Sequence, residues 1–165
     1  MKKILSLLLL VATIICCASC SSPPPDEQDE KECAVGESII VENLKVTLKS
    51  VNSYVDSNEW VMDVPDEGKC FVVLCFEVEN IGDKDEHFNM LYEDSYCDDE
   101  SIDTTLLFNY DSDEIWGDIA KGKKRVGHIA YEVKEDWSKI EFIYKPNIFD
   151  ENEKYTFIAN KSDIK

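Results

Sequence analysis

The chain has 165 residues, 44% hydrophobic and 10% aromatic, which is enough apolar material for one packed domain plus tails. Its 17 basic and 35 acidic residues leave a net charge of -18. That excess excludes nucleic-acid binding, which needs Lys and Arg to replace counterions on phosphate, and electrostatic adhesion to an anionic membrane surface; it serves solubility instead.

Met1-Lys2-Lys3 is a basic start, and Ile4–Ile15 is a 12-residue apolar run too short for an ordinary membrane span. Cys17-Ala18-Ser19-Cys20 follows. Two small residues directly before a cysteine resemble the bacterial lipobox. The resemblance implies cleavage before Cys20 and a diacylglyceryl group on its sulfur. Cys17 stands where Leu is usual, so Cys16 and Cys17 are rivals, but neither has a small pair in front. The plainer alternative is a secretory signal cut near Ala18. Residues 1–19 are thus read as a lipoprotein signal peptide. Acyl chains on Cys20 would suffice for stable membrane attachment.

Residues 20–34 read as the lipidated cysteine and a disordered acidic tether. Ser21–Glu32 contains no apolar side chain, so it cannot bury enough surface to fold, and its prolines and like charges keep it extended. At about 3.3 Å per residue, Ser21–Val35 reaches roughly 50 Å.

Residues 35–162 read as short strands. Glu37–Val41 comes first. In Lys45–Val51, Val46 and Leu48 alternate with Lys45, Thr47 and Lys49, the pattern of a half-buried strand. Asn52–Gly68 is a long polar connection containing Trp60-Val61-Met62. Lys69–Gly82 is the most apolar run beyond the leader. Val72, Leu74, Phe76 and Val78 share one face, while Phe71, Val73 and Cys75 share the other. Both faces are apolar through Phe76, as in a central strand between layers, and strict alternation follows. Asn80-Ile81-Gly82-Asp83 closes it. Next come His87–Tyr92, Thr104–Tyr110, an irregular charged stretch Asp111–Lys124, Arg125–Val133, Lys139–Lys145 and Lys154–Ala159. Asp136–Lys139 reads as one helical turn. Seven to eight short strands with no convincing helix predict an all-β, immunoglobulin-like antiparallel β-sandwich.

The order Val-Gly-Glu (35–37), a strand ending at Val51, a long loop, Phe71–Glu79 with Asn80-Ile81-Gly82-Asp83, Ala120-Lys121-Gly122-Lys123 and Gly127–Val133 resembles a group of bacterial lipoproteins. They carry a telokin-like, immunoglobulin-like domain of unknown function. The resemblance spans about residues 34–160 and implies that fold and an envelope location. It implies no catalytic residues, and cysteines in the core strand are no part of it.

Beyond the leader and Cys20, four cysteines remain: Cys33, Cys70, Cys75 and Cys97. An even set in an exported chain permits disulfides. Cys70 and Cys75 lie on opposite faces of one strand, roughly 16 Å apart, and cannot pair. Two full connectivities stand: Cys33–Cys70 with Cys75–Cys97, or Cys33–Cys75 with Cys70–Cys97. The rival reading is that Cys75 is a small buried core residue.

Candidate chemistry is sparse. His87 and His128 have no motif context and read as surface residues. No metalloprotease, nucleophile-elbow or phosphate-loop motif is present. Asp111, Asp113, Glu114 and Asp118 are weak calcium candidates, lacking the central Gly and closing Glu of a calcium loop. A second acidic cluster is Asp94, Asp98, Asp99, Glu100 and Asp103. Each Trp is expected to plug the core or an end of the sandwich; as exposed rings, Trp60 and Trp116 would be the ligand-binding candidates. No cofactor is expected. The reading is a non-enzymatic, lipid-anchored protein on the extracytoplasmic face of the cell membrane, its domain binding another cell-envelope protein. The alternative is a tethered carbohydrate-binding module using loop Trp and Asp residues.

Overall fold

The computed structural model describes residues 31–89, 93–147 and 153–164. The signal peptide, Cys20, Met90 and Tyr92 lie outside them. The domain is an all-β sandwich. One sheet is built on Lys69–Asn80 (β4), with Leu44–Tyr54 (β3) and Lys124–Lys134 (β10) antiparallel on its two sides. Ser38–Val41 (β2) and Thr104–Thr105 (β8) are its outer strands. The facing sheet runs in the order Lys31–Ala34 (β1), Tyr155–Asn160 (β12), Lys139–Tyr144 (β11), Glu93–Cys97 (β6) and Glu100–Ser101 (β7). A short pair of Glu86–Phe88 (β5) and Gly117–Ile119 (β9) stands apart from both sheets.

The alternation of β4 sets the core. Val72, Leu74, Phe76 and Val78 are completely buried between the sheets. Phe76 meets Phe142 and Phe157 of the facing sheet at 5.2 and 5.4 Å between ring centroids. Ile129, Tyr131 and Val133 face the same way from β10. A bulge between Leu48 and Ser50 shifts β3 by one residue, so Leu48 and then Val51 both stay inward although their spacing is odd. Trp137 is 2% exposed and fills one end, as expected of each tryptophan.

Several expectations need correction. The tether does not extend to residue 34: Lys31–Ala34 pairs in parallel with β12 and buries Cys33 beside Phe157. The open edge of β12 supplies hydrogen-bond partners that a charged sequence cannot announce. Thr104–Tyr110 is a strand only over Thr104–Thr105; farther along, the Asp63 carboxylate captures the backbone N–H groups of Phe108 and Asn109. Asp136–Lys139 forms no helical turn; Glu135-Asp136 is a simple turn leading into β11. A 3-10 turn at Lys161–Asp163 follows β12, and Ile164 bridges to Val51 beyond the predicted boundary at 162. The strand β6 and its two-residue turn into β7 lie where the sequence pattern predicts no strand. Asp98 and Asp99 there adopt positive φ, as in the turn that matches the twist of a hairpin.

Candidate functional site

The chain leaves β3 at Tyr54 and returns to β4 at Lys69. Between them it forms a loop locked by two carboxylates, Asp56 and Asp63, both buried although the segment lies at the surface. Asp56 Oδ1 accepts from the backbone and side chain of Asn58 at 3.0 and 2.9 Å. Its Oδ2 accepts the N–H groups of Met62 and Asp63 at 2.8 and 3.1 Å and the Asn109 amide at 2.7 Å. Burial raises the pKa of Asp56, but these donors outweigh it and hold the carboxyl well below the usual range. Asp63 accepts the N–H groups of Phe108 and Asn109, both at 2.9 Å, and the Tyr54 hydroxyl at 3.2 Å. Burial, that hydrogen bond and the nearby carboxylates push Tyr54 up to about 12. Asn109 closes the link by donating to the carbonyl of Trp60 at 2.8 Å. The loops 55–68 and 106–116 are therefore one unit.

The second loop is also fastened to the outer face of the sheet. Tyr110 stands edge-on to Tyr54, with centroids 5.2 Å apart, and lies against His128 at 4.6 Å. Its hydroxyl is 3.6 Å from Cys75 Sγ, which also takes a 3.2 Å hydrogen bond from Asn52. Burial, then the neighbouring thiol, push the Tyr110 phenol up to about 12. His128 lies directly opposite Cys75 across β10 and β4. It has the predicted outward parity but is 3% exposed, not a surface residue, because residues 113–115 cover it. Its Nδ1 lies 2.9 Å from the Asp113 carbonyl and so must donate there.

What this frame presents is apolar. Val55, Trp60, Val61, Met62 and Val64 on the first loop, and Leu106 and Phe108 on the second, are all exposed. Trp60 is 80% and Phe108 69% exposed, contrary to the expectation that Trp60 fills the core. A groove of about 320 Å³ runs beside them, lined by Tyr54, Val55, Val61, Val64, Cys70 and Glu135. Exposed acids stand on the same loops: Glu59 and Glu67 on one, Asp111 and Asp113 on the other. Scattered single hydrophobics are ordinary on a protein surface; here seven stand on two loops that are hydrogen-bonded to each other.

Trp116 is also exposed, at 57%, but it is the last residue of the second loop, beside Gly117 at the start of β9. The calcium candidates do not converge. Asp118 pairs with His87 at 2.7 Å, the Asp113 carbonyl serves His128, and Asp111 is exposed. Among the described residues no three His, Cys, Asp or Glu side chains are grouped to hold a metal. In the other acidic cluster, Asp98 caps Ser138 and Lys139, Asp94 pairs with Lys145, and Glu100 pairs with Lys134 at 2.9 Å.

The position of this platform follows from the strand register. Lys31 pairs with Tyr155, which pairs with Tyr144, whose ring lies 5.0 Å from Phe88 on the β5–β9 ribbon. Asn80 joins that ribbon through the Ile119 carbonyl at 2.8 Å. The N-terminal segment therefore enters at the Asn80 end of β4, and the platform stands at the Lys69 end. Eleven residue steps of about 3.3 Å separate them, roughly 36 Å.

Residues 33–154 match the family described as a domain of unknown function, DUF4352. No curated protein matches the chain. Among solved structures it is similar to ycdA of Bacillus subtilis, described as a "putative lipoprotein", with a TM-score of 0.60, 16% identity and 76% of this chain covered. The match spans 39% of that protein's length. The yjhA protein of Bacillus subtilis follows at a TM-score of 0.53, 16% identity, 75% of this chain and 96% of the other. MPT63, a secreted protein of Mycobacterium tuberculosis, matches at 0.52, 10% identity, 78% and 95%. At such identities the likeness is one of fold.

Proposed function

We propose that this chain, which belongs to the DUF4352 family, is an extracytoplasmic binding domain that docks another envelope protein on the platform of loops 55–68 and 106–116. The observation that carries this is the exposure of Trp60 and Phe108 on a frame held by buried Asp56 and Asp63. Buried carboxylates that fix the loop shape in advance lower the cost of ordering it against a partner. The exposed apolar side chains, with acids on the same loops, fit a partner surface of aliphatic and aromatic side chains accompanied by Lys and Arg. We read the domain as non-catalytic.

Anchoring through Cys20 rests on the leader and lipobox-like residues. ycdA is described as a "putative lipoprotein" and MPT63 as secreted, which agrees with an extracytoplasmic address. Residues 21–30 span at most about 33 Å at 3.3 Å per residue, and the platform stands at the far end of the domain. An upright domain would therefore offer it away from the lipid.

Exposed Trp60 and Phe108 also favour a glycan reading, since aromatic faces stack on sugars. Against it, the oxygens of Asp56 and Asp63 already accept internal hydrogen bonds and are not free for hydroxyls. The test is photocrosslinking in intact native cells from a benzophenone amino acid at position 60 or 108, with Ile81, exposed at the opposite end, as control. A protein adduct from 60 and 108 but not 81 supports the reading. Adducts removed by glycosidase favour the glycan. Equal labelling from all three positions, or none, overturns the platform.

A further inference from the structure

Cys70 and Cys97 come from facing sheets and point into the same end of the sandwich. Cys70 lies opposite Val133 on β10 and shares the parity of Val72, Leu74 and Phe76, so it faces inward. Cys97 lies opposite Ile140 and is itself part of the core. The two meet around a common set of groups. Cys70 Sγ is 4.0 Å from the Lys134 carbonyl, and the Lys134 ammonium binds Glu100, which is paired across the hairpin with Cys97. A cavity of about 210 Å³ opens beside Cys97, lined also by Ile102, Lys134 and Val133, the cross-strand partner of Cys70. Cys97 is held in place because the next residue, Asp98, caps Ser138 and Lys139 and donates its N–H to the Lys139 carbonyl.

The other cysteines are out of reach. Cys75 faces outward beneath Tyr110. Cys33 on β1 is three strands from β6, roughly 14 Å at about 4.8 Å per strand, against the 7 Å limit for a disulfide. Its neighbour Gly36 bonds the carbonyl of Leu48, opposite Phe76, and Cys70 lies six residues farther along β4, about 20 Å away. Neither full connectivity expected from the sequence can therefore form; only one bond of the second survives.

We propose that under oxidising conditions Cys70 and Cys97 close a single inter-sheet disulfide, with Cys33 and Cys75 left as thiols. All four are free thiols in this structure. The oxidant is a disulfide, such as glutathione disulfide or that of an envelope dithiol oxidase. One thiolate attacks it and forms a mixed disulfide; the second thiolate displaces the carrier. Two S–H bonds become one S–S bond, and two protons and two electrons leave on the carrier as two thiols. Burial pushes the Cys97 thiol up to about 11 and raises Cys70 too, so closure in the folded domain is slow at neutral pH and faster in alkali. Because Cys70 also lines the groove with Val55, Val61 and Val64, the bond would brace the end of the sandwich that carries the platform.

The test uses the full chain, purified in detergent, exposed to glutathione disulfide, alkylated in denaturant and mapped by mass. The expected result is one Cys70–Cys97 cross-linked peptide pair and a Tm rise of about 5–10 °C that reductant reverses. The Cys33→Ser/Cys75→Ser double variant keeps both effects, while Cys70→Ser or Cys97→Ser loses the cross-link. If the double variant stays folded with both remaining thiols alkylated, or if the bridge joins any other pair, the proposal is wrong.

Discussion

Replacing Asp63 by Ala should release the platform without unfolding the sandwich. The carboxylate accepts three hydrogen bonds, from Phe108 N, Asn109 N and Tyr54 Oη. Hydrogen bonds to a charged group contribute about 1.5–3 kcal/mol each, but the freed loop amides can turn to water, so the net loss is about 2–4 kcal/mol. At roughly 4 °C per kcal/mol for a domain of this size, Tm falls by about 8–16 °C. The core Phe76–Phe142–Phe157 contacts are untouched, so far-ultraviolet circular dichroism stays native below the transition. Fluorescence anisotropy of Trp60, read in a variant with Trp116 and Trp137 both replaced by Phe, should drop because Asn109 no longer fixes the Trp60 carbonyl. Crosslinking from position 108 should drop with it. Asp63→Asn, which keeps one acceptor oxygen, should fall between wild type and Ala. Unchanged Tm and Trp60 anisotropy in Asp63→Ala would refute the claim that buried carboxylates hold these loops. Acid supplies a parallel probe. The folded pKa of Asp56 lies below its ordinary 3.8, so its contribution is present above that pH and is lost only as the pH falls below it.

Other consequences can be measured the same way. Glu93 is pushed up to about 7 by burial and then by Asp94, and its Oε2 is buried with no partner among the described residues. Its folded pKa exceeds the ordinary 4.5, so the folded state binds the proton more tightly and stability falls as pH rises from about 4.5 to about 7. Glu93→Gln should therefore gain about 1–2 kcal/mol at pH 8, after allowing for partial solvent screening, and almost nothing at pH 4; a gain independent of pH counts against this. Gly127→Ala places a Cβ 2.8 Å from backbone atoms of Asp113 and Ile115, so the loop over His128 must move; a loss of about 2–4 kcal/mol and faster amide exchange at Ile115 are expected. Cys20→Ala should abolish labelling by a lipid-metabolic probe and shift the chain from the membrane to the soluble fraction, whereas unchanged labelling would point to Cys16 or Cys17.

The candidate site was less legible than the core, for a physical reason. Val72–Val78 reveals its place because burial on alternate positions needs apolar residues there, and water penalises any other choice. Asp56 and Asp63 leave no such trace. In a chain with 35 acidic residues, two loop carboxylates look like all the others, and only the N–H groups that converge on them set them apart. His128 shows the same limit: its outward parity was readable, but the loop that buries it joins the sheet from fifteen residues away. Thr104–Tyr110 has the composition of a strand, yet the carboxylate of Asp63 competes for its donors and wins.

By itself the sequence determined the class of structure, the central strand and the leader-like character of residues 1–20, because these depend on local period and composition. The tertiary structure alone decided which acids are buried, which tryptophans face water, which cysteines can meet, and that the chain enters at the end opposite the apolar platform. Those facts arise where segments far apart in the chain compete for the same hydrogen bonds and the same space, and no local pattern encodes the outcome.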